Sequence, residues 1–407
     1  MQNQRHVPPP LKGVKVIELS HLIAGPYCCQ LLAGEGADVV KVEPPQGELA
    51  RDREPLRRGQ GGTLSAHFAA LNRGKRSLAL DLKNAQGMAT FRRLLEGADV
   101  LVTNMRGGAL ERLGIHPRTL HEQYPRLVIA SISGFGLERS GKYTDRAGLA
   151  MVAEALSGTT SLTRDHAGNP VWCGFALGDI ASGMTAHAAI LLALRNQEKH
   201  GAGQVLDLTL AECMLPMVSV ALARVQIADA ALAAKAGAND YHGVPYGAYQ
   251  AADGYVNIGV NSDVFWRRLC VAMDRPELGD DERYATYLER VKRQDEVNHL
   301  TGEFTLAHTR QEITAKLGKV DVPVASILSM QEVLDNDFFQ GRGSLREVGD
   351  GIGGKLTLPV DPTGFEADPE GSHLPRLGEH RDEVLSDLLS MSHRDIEALA
   401  KAGAFGA

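Results

Sequence analysis

Apolar positions in the first half of the chain switch repeatedly between an extended and a helical period. Val14-Lys15-Val16-Ile17-Glu18-Leu19 reads as a strand, Pro26 to Glu35 as a helix, and Ala37 to Val42 as a strand again. The pattern continues with a strand at Ser77 to Leu82, a helix at Ala85 to Glu96 and a strand at Asp99 to Val102. A short helix at Leu110 to Leu113 and a continuous apolar strand at Leu127 to Ile132 complete it. Strands separated by helices of these lengths predict an α/β fold: a parallel sheet with helices on both faces.

Beyond the middle the pattern changes. Pro216 to Gly243 is alanine-rich and reads as a helical connector, and Gly247 to Ile258 reads as a hairpin turning at Asp253-Gly254. Charged helices follow from Val264 to Leu317, and a helical tail from Leu377 could dock back on the first unit. At 407 residues the chain is long enough for two domains.

Composition narrows the possible partners. With 43% hydrophobic and 23% charged residues, the chain has the balance of a soluble globular protein. Its net charge is −7 and no segment concentrates Lys and Arg, which argues against nucleic acid or an anionic membrane as main partner. A small anionic ligand needs only a local basic pocket. Met1 to Pro10 lacks the apolar core of a signal peptide, and the apolar run Ala186 to Leu194 is too short to span a bilayer. Five scattered cysteines, with Cys28 and Cys29 adjacent on a helix, read as buried thiols of a reduced, cytoplasmic protein. No cysteine pair has zinc spacing, so no metal site is expected.

Familiar cofactor motifs fit poorly. Residues 136–143 (GLERSGKY) approach a phosphate-binding loop, but Tyr143 stands where a magnesium-binding hydroxyl is needed. Gly134-Phe135-Gly136 lacks the third glycine of a dinucleotide fingerprint, at Arg139. There is no HExxH pair and no GxSxG elbow, and His21, His187 and His200 are isolated. Asp179 stands out as a lone carboxylate among small and apolar neighbours at the start of an alanine-rich helix. Its simplest reading is a helix N-cap, although Ser182 cannot complete a capping box. The helix dipole would favour its ionised form in any role, and spacing alone does not make it catalytic.

Several segments, in order along nearly the whole chain, resemble the class III CoA-transferase family. They include residues 11–19, Ala24-Gly25-Pro26, residues 36–43, Asn72-Arg73-Gly74-Lys75, Asn104-Met105-Arg106-Gly107, Ser133-Gly134-Phe135-Gly136, residues 177–184 and Leu377-Gly378-Glu379-His380. The resemblance implies that Asp179 is a nucleophile that forms covalent intermediates with an acyl-CoA. It implies CoA contacts at His21, Ile23 and Ala24, at Leu80, Asp81, Leu82 and Lys83, and at Asn104, Met105, Arg106 and Arg112. Lys83, Arg106 and Arg112 suit the CoA phosphates. No permanently bound cofactor is implied; the CoA thioester is a substrate, and the acceptor is a small carboxylic acid. The implied architecture is a large Rossmann-like domain (1–220 and 325–407) with a smaller α+β domain and linkers inserted (221–324), in an interlocked homodimer.

Some positions depart from that family's pattern. Pro44 replaces a nucleotide-contacting Arg of formyl-CoA transferase, and residues 241–247 stand where that enzyme has a glycine-rich covering loop, which argues against formate–oxalate exchange. Leu149-Ala150 replaces a His-Asp pair of the related racemases, removing a proton-transfer base. A CoA-thioester isomerase or a non-catalytic CoA-binding protein are the alternative readings.

Overall fold

The computed structural model describes residues 8–59, 62–137, 141–143, 146–165, 167–227, 243–365 and 373–406. The middle of the near-P-loop (138–140) and residues 241–242 lie outside the described residues. The chain divides into two compact units. The first comprises Met1–Thr160, Trp172–Ser219 and Phe338–Ala407, the second Ser161–Val171 and Val220–Asp337.

The first unit is built on six parallel strands: β1 (Lys15–Leu19), β2 (Asp38–Glu43), β3 (Arg76–Ala79), β4 (Val100–Thr103), β5 (Val128–Ser133) and β6 (Val205–Thr209). Their spatial order is β3-β2-β1-β4-β5-β6. The chain therefore builds outward from β1 in one direction and from β4 in the other. The crevice between the carboxyl ends of β1 and β4 is the topological switch point, where open α/β sheets place ligands. β6 is absent from the expectation drawn from the sequence. It is an edge strand, only partly buried, and its Leu-Asp-Leu alternation is short.

Successive side chains of each strand serve opposite faces, and both faces are covered. On one, Val16, Val39, Val100, Val102 and Val128 pack against helices α1 (Ala24–Gly34) and α4 (Leu177–His200). Cys28 and Cys29 lie fully buried there, and burial pushes both thiols well above the usual range. On the other, Ile17, Val40, Leu101 and Ile129 meet Phe91, Leu94 and Leu95 of α2 (Ala85–Glu96). The helices Arg381–Leu389 and His393–Lys401 add Val384, Leu385 and Ile396 to that layer, so the tail completes the sheet's own core. α4 is long and apolar enough to cross a membrane by composition, but Ala186, Ile190 and Ala193 are buried in this core.

Between α2 and α4, helix α3 (Ala150–Leu156) packs directly on the start of α4. Gly178 makes this possible, because a Cβ there would meet the Ala150 carbonyl oxygen at 3.3 Å. In the second unit, a three-stranded antiparallel sheet contains the hairpin of β7 (Tyr246–Ala251) and β8 (Gly254–Gly259), with Val324–Ser326 at its edge. Its core is a separate cluster around Trp266, Tyr284, Val297 and Ile313.

Candidate active site

Two features of the first unit bear on the site, a cleft at the switch point and the start of α4. The cleft holds about 420 Å³ and is lined by the residues that follow β1, β2 and β3. His21, Leu80, Asp81, Leu82, Lys83 and Met105 of the expected CoA contacts line it, together with Pro44. The walls around Leu19, Val42, Leu80 and Leu113 are apolar. Lys83 is the cation among the lining residues, while Arg106 and Arg112 are exposed and border the short helix Gly107–Arg112. None of these three cations has an ion pair among the described residues, so each is available to an anion.

Behind the lining residue Glu48 lies a buried charge network. Glu18 bonds Lys41 through Oε1 and Lys75 through Oε2, both at 2.7 Å, and all three side chains are fully buried. Burial pushes Glu18 up, but Lys41 and Lys75 outweigh it and hold the carboxyl at about 2. Lys41 also meets Glu48 at 3.3 Å, and Glu48 accepts the Leu22 N–H at 3.1 Å and the Ala50 N–H at 2.9 Å. Leu22 has φ +65°, a left-handed conformation that a branched side chain rarely adopts. The network thus fixes a strained bend immediately after β1.

Asn104 holds the other side of that bend. Its Oδ1 accepts the His21 N–H at 3.0 Å and its Nδ2 donates to the His21 carbonyl at 2.7 Å. Its side chain is therefore committed to positioning the loop that carries His21, Ile23 and Ala24. Burial holds His21 below its usual range despite the nearby Glu48, with Lys41 acting in the same direction as burial, so the ring is neutral at pH 7. Ile23 occupies the cap position of α1 and Ala24 is its buried first residue, so neither lines the cleft.

α4 crosses α1 at this point. A Cβ on Gly183 would meet the Ala24 carbonyl oxygen at 2.8 Å, so the two backbones touch. Asp179 lies about one helical turn before that contact.

Asp179 is not the N-cap expected from the sequence. Ala176 occupies that position with no side-chain cap, and Asp179 is the third residue of the helix. The capping is done through space. Glu154 of α3, only 1% exposed, accepts the Gly178 N–H through Oε1 at 3.0 Å and the Trp172 indole N–H through Oε2 at 2.7 Å. The Leu177 N–H bonds the Phe175 carbonyl at 2.8 Å. Among the described residues, no group donates a hydrogen bond to the half-buried Asp179 carboxylate. Its own N–H likewise has no acceptor there. Burial, then the charge of Glu154, pushes the Asp179 carboxyl up to about 6. Such a group is ionised at pH 7 yet more basic than an ordinary carboxylate, which suits a nucleophile.

Glu154 is the site residue that sequence reasoning missed. Its one signal is an acidic residue within the apolar helical run Ala150 to Leu156. Away from this region, His373, Glu379 and His380 bring three ligand-type atoms within 4.8 Å of one another. Nδ1 of His380 accepts the Ser77 N–H, so the neutral ring carries its proton on Nε2 and offers no free lone pair.

Comparisons with known proteins identify the family. The family model described as CoA-transferase family III matches residues 11–381. The chain is 33% identical over 403 residues to a succinyl-CoA–D-citramalate CoA-transferase of Chloroflexus aurantiacus, covering 98% of each chain. It is 34% identical over 395 residues to a succinate–glutarate CoA-transferase of Agrobacterium fabrum, covering 93% of this chain and 96% of the other. A solved CaiB/BaiF family protein from Brucella suis superposes with TM-score 0.82 at 31% identity, over 94% of this chain and all of that one.

Proposed function

The chain belongs to CoA-transferase family III, and on that premise we propose that it moves CoA from an acyl-CoA to a small carboxylic acid through covalent intermediates on Asp179. The observation that carries this reading is the state of Asp179. Its carboxylate is held in the first turn of α4, accepts no hydrogen bond among the described residues, and is pushed up to about 6.

The chemistry follows from that carboxylate. One oxygen of Asp179 adds to the donor thioester carbonyl, and collapse of the tetrahedral oxyanion expels CoA thiolate, leaving an acyl–aspartyl anhydride. The thiolate then adds to the aspartyl carbonyl and expels the donor acid, leaving an aspartyl–CoA thioester. The acceptor carboxylate attacks that thioester, and the released thiolate takes the acceptor acyl group from the second anhydride. Asp179 is regenerated. Every intermediate retains an activated acyl bond, so no external energy source enters. The unpaired Asp179 N–H is a donor suited to the oxyanions.

The cleft at the switch point suits the nucleotide of CoA, with Lys83, Arg106 and Arg112 meeting its phosphates. The names of the two transferase relatives given above favour a short dicarboxylic acyl group such as succinyl on the donor. Exchange is favoured over isomerisation because both oxygens of Glu154 are engaged and buried, leaving no free base beside Asp179 among the described residues. The homodimer draws support from apolar surface near the site. Met151, Val152 and Leu156 of α3 and Met184 and Leu192 of α4 are exposed, as a subunit contact would require. The test is a panel of free acids incubated with succinyl-CoA and read by mass spectrometry of the CoA thioesters. Product with at least one acid, lost in Asp179→Ala, is expected; no exchange with any acid and several donors would count against the proposal.

A further inference from the structure

Glu154 has no part in the reaction as written, yet it is an expensive group to bury. Its carboxylate is 1% exposed and has no ion pair among the described residues. Its two hydrogen bonds from Trp172 and Gly178 are what replace water. Those two donors bracket one segment. It begins at Trp172, turns at Gly174 with φ +91°, carries the exposed Phe175 and ends at the residue before Asp179.

The choice of the Gly178 N–H matters as much as the clamp. The first-turn N–H groups of a helix are the natural partners of an acidic side chain near its start. Here one of them is taken by Glu154 and that of Leu177 by the Phe175 carbonyl. Resting on the assignment of Asp179 as the nucleophile, we infer that Glu154 is a positioning residue that fixes the first turn of α4 and withholds its N–H from Asp179, keeping that carboxylate poorly stabilised and reactive.

The consequence is directional. Two anions share one helix end, and the field of Glu154 disfavours the ionised form of Asp179, in line with its raised range. Attack on the thioester turns Asp179 into a neutral anhydride or thioester and removes that repulsion. Each acylation therefore gains from a charge the reaction never touches. A helix cap with a purely structural role would hold the loop but leave the basicity of Asp179 alone.

The pH profile separates the two. In the wild type the acid limb of kcat/KM for the acyl-CoA donor should fall near pH 6. Glu154→Gln keeps the shape and removes the charge, so the limb should move down by roughly 0.5–1 unit. It also turns an amide N–H toward one of two N–H donors, so the plateau should fall by about 10–100-fold. A folded Glu154→Gln enzyme with its limb unmoved overturns the inference. Should that variant fail to fold, Trp172→Phe removes one donor from an exposed ring and leaves both carboxylates in place. Its limb should stay near 6 while turnover falls several-fold and the share of acyl-enzyme lost to water rises; wild-type turnover and partition in this variant would refute the clamp. Asp179→Ala is the control. If it stays active, the nucleophile assignment fails; if it is inactive while the Glu154→Gln limb is unmoved, only the role of Glu154 fails.

Discussion

Replacing Asp179 by Asn should abolish exchange and, at neutral pH, stabilise the fold. The carboxyl has an ordinary value of 3.8 when unfolded and about 6 when folded. Between those values the folded chain binds the extra proton, so stability falls as pH rises through this window and the penalty is fully present above pH 6. A shift of roughly two units at about 1.4 kcal/mol each sets a ceiling near 3 kcal/mol. Asp179 is half-buried rather than sealed, so solvent reduces this to about 1–2 kcal/mol. The neutral amide carries no such penalty. Urea or thermal unfolding of the wild type and Asp179→Asn at pH 8 and pH 4 reads the difference directly. The variant should be more stable at pH 8, and its advantage should shrink toward zero at pH 4. A variant no more stable at pH 8, or an advantage independent of pH, would refute the claim that Asp179 is held ionised at a cost.

Other expectations follow from the surrounding geometry. Glu18→Gln leaves Lys41 and Lys75 buried without their shared carboxylate and should cost about 3–5 kcal/mol in chemical denaturation; a loss below 1 kcal/mol would contradict the network. Asn104→Ala removes both bonds that hold the His21 backbone, and the KM for acyl-CoA should rise about tenfold with a smaller change in melting temperature. Lys83→Ala and Arg106→Ala should each weaken CoA binding by about 1 kcal/mol in calorimetry and flatten its dependence on salt, since both cations are exposed and free. Gly183→Ala should disrupt the α1–α4 crossing, lowering both stability and turnover, because its Cβ would stand 2.8 Å from a backbone oxygen.

The sequence made the fold legible where burial is strong. Strands β1 to β5 and the hairpin of β7 and β8 lie where the apolar pattern puts them, within a residue or so at most ends. β6 escaped because an edge strand buries little, and its alternation covers too few residues to stand out beside α4. The site was legible only in part. Nothing local distinguishes Asp179 from a cap, because the true capping group sits on another helix, 24 residues before the Gly178 that it caps. Asn104 was expected to contact CoA; its amide also holds the His21 backbone, a pairing across 83 residues that no spacing rule encodes. Lys83, Arg106 and Arg112, which the family resemblance assigns to the CoA phosphates, are exposed and form no ion pair among the described residues.

The central claim is that Asp179 carries the acyl group. Mixing the enzyme with succinyl-CoA, quenching with hydroxylamine and digesting for mass spectrometry locates any activated ester. The account predicts a hydroxamate on Asp179 in the peptide spanning the start of α4, and none in Asp179→Ala, which should also lose exchange. A hydroxamate on a different residue, or an Asp179→Ala enzyme that still exchanges CoA at the wild-type rate, would contradict it.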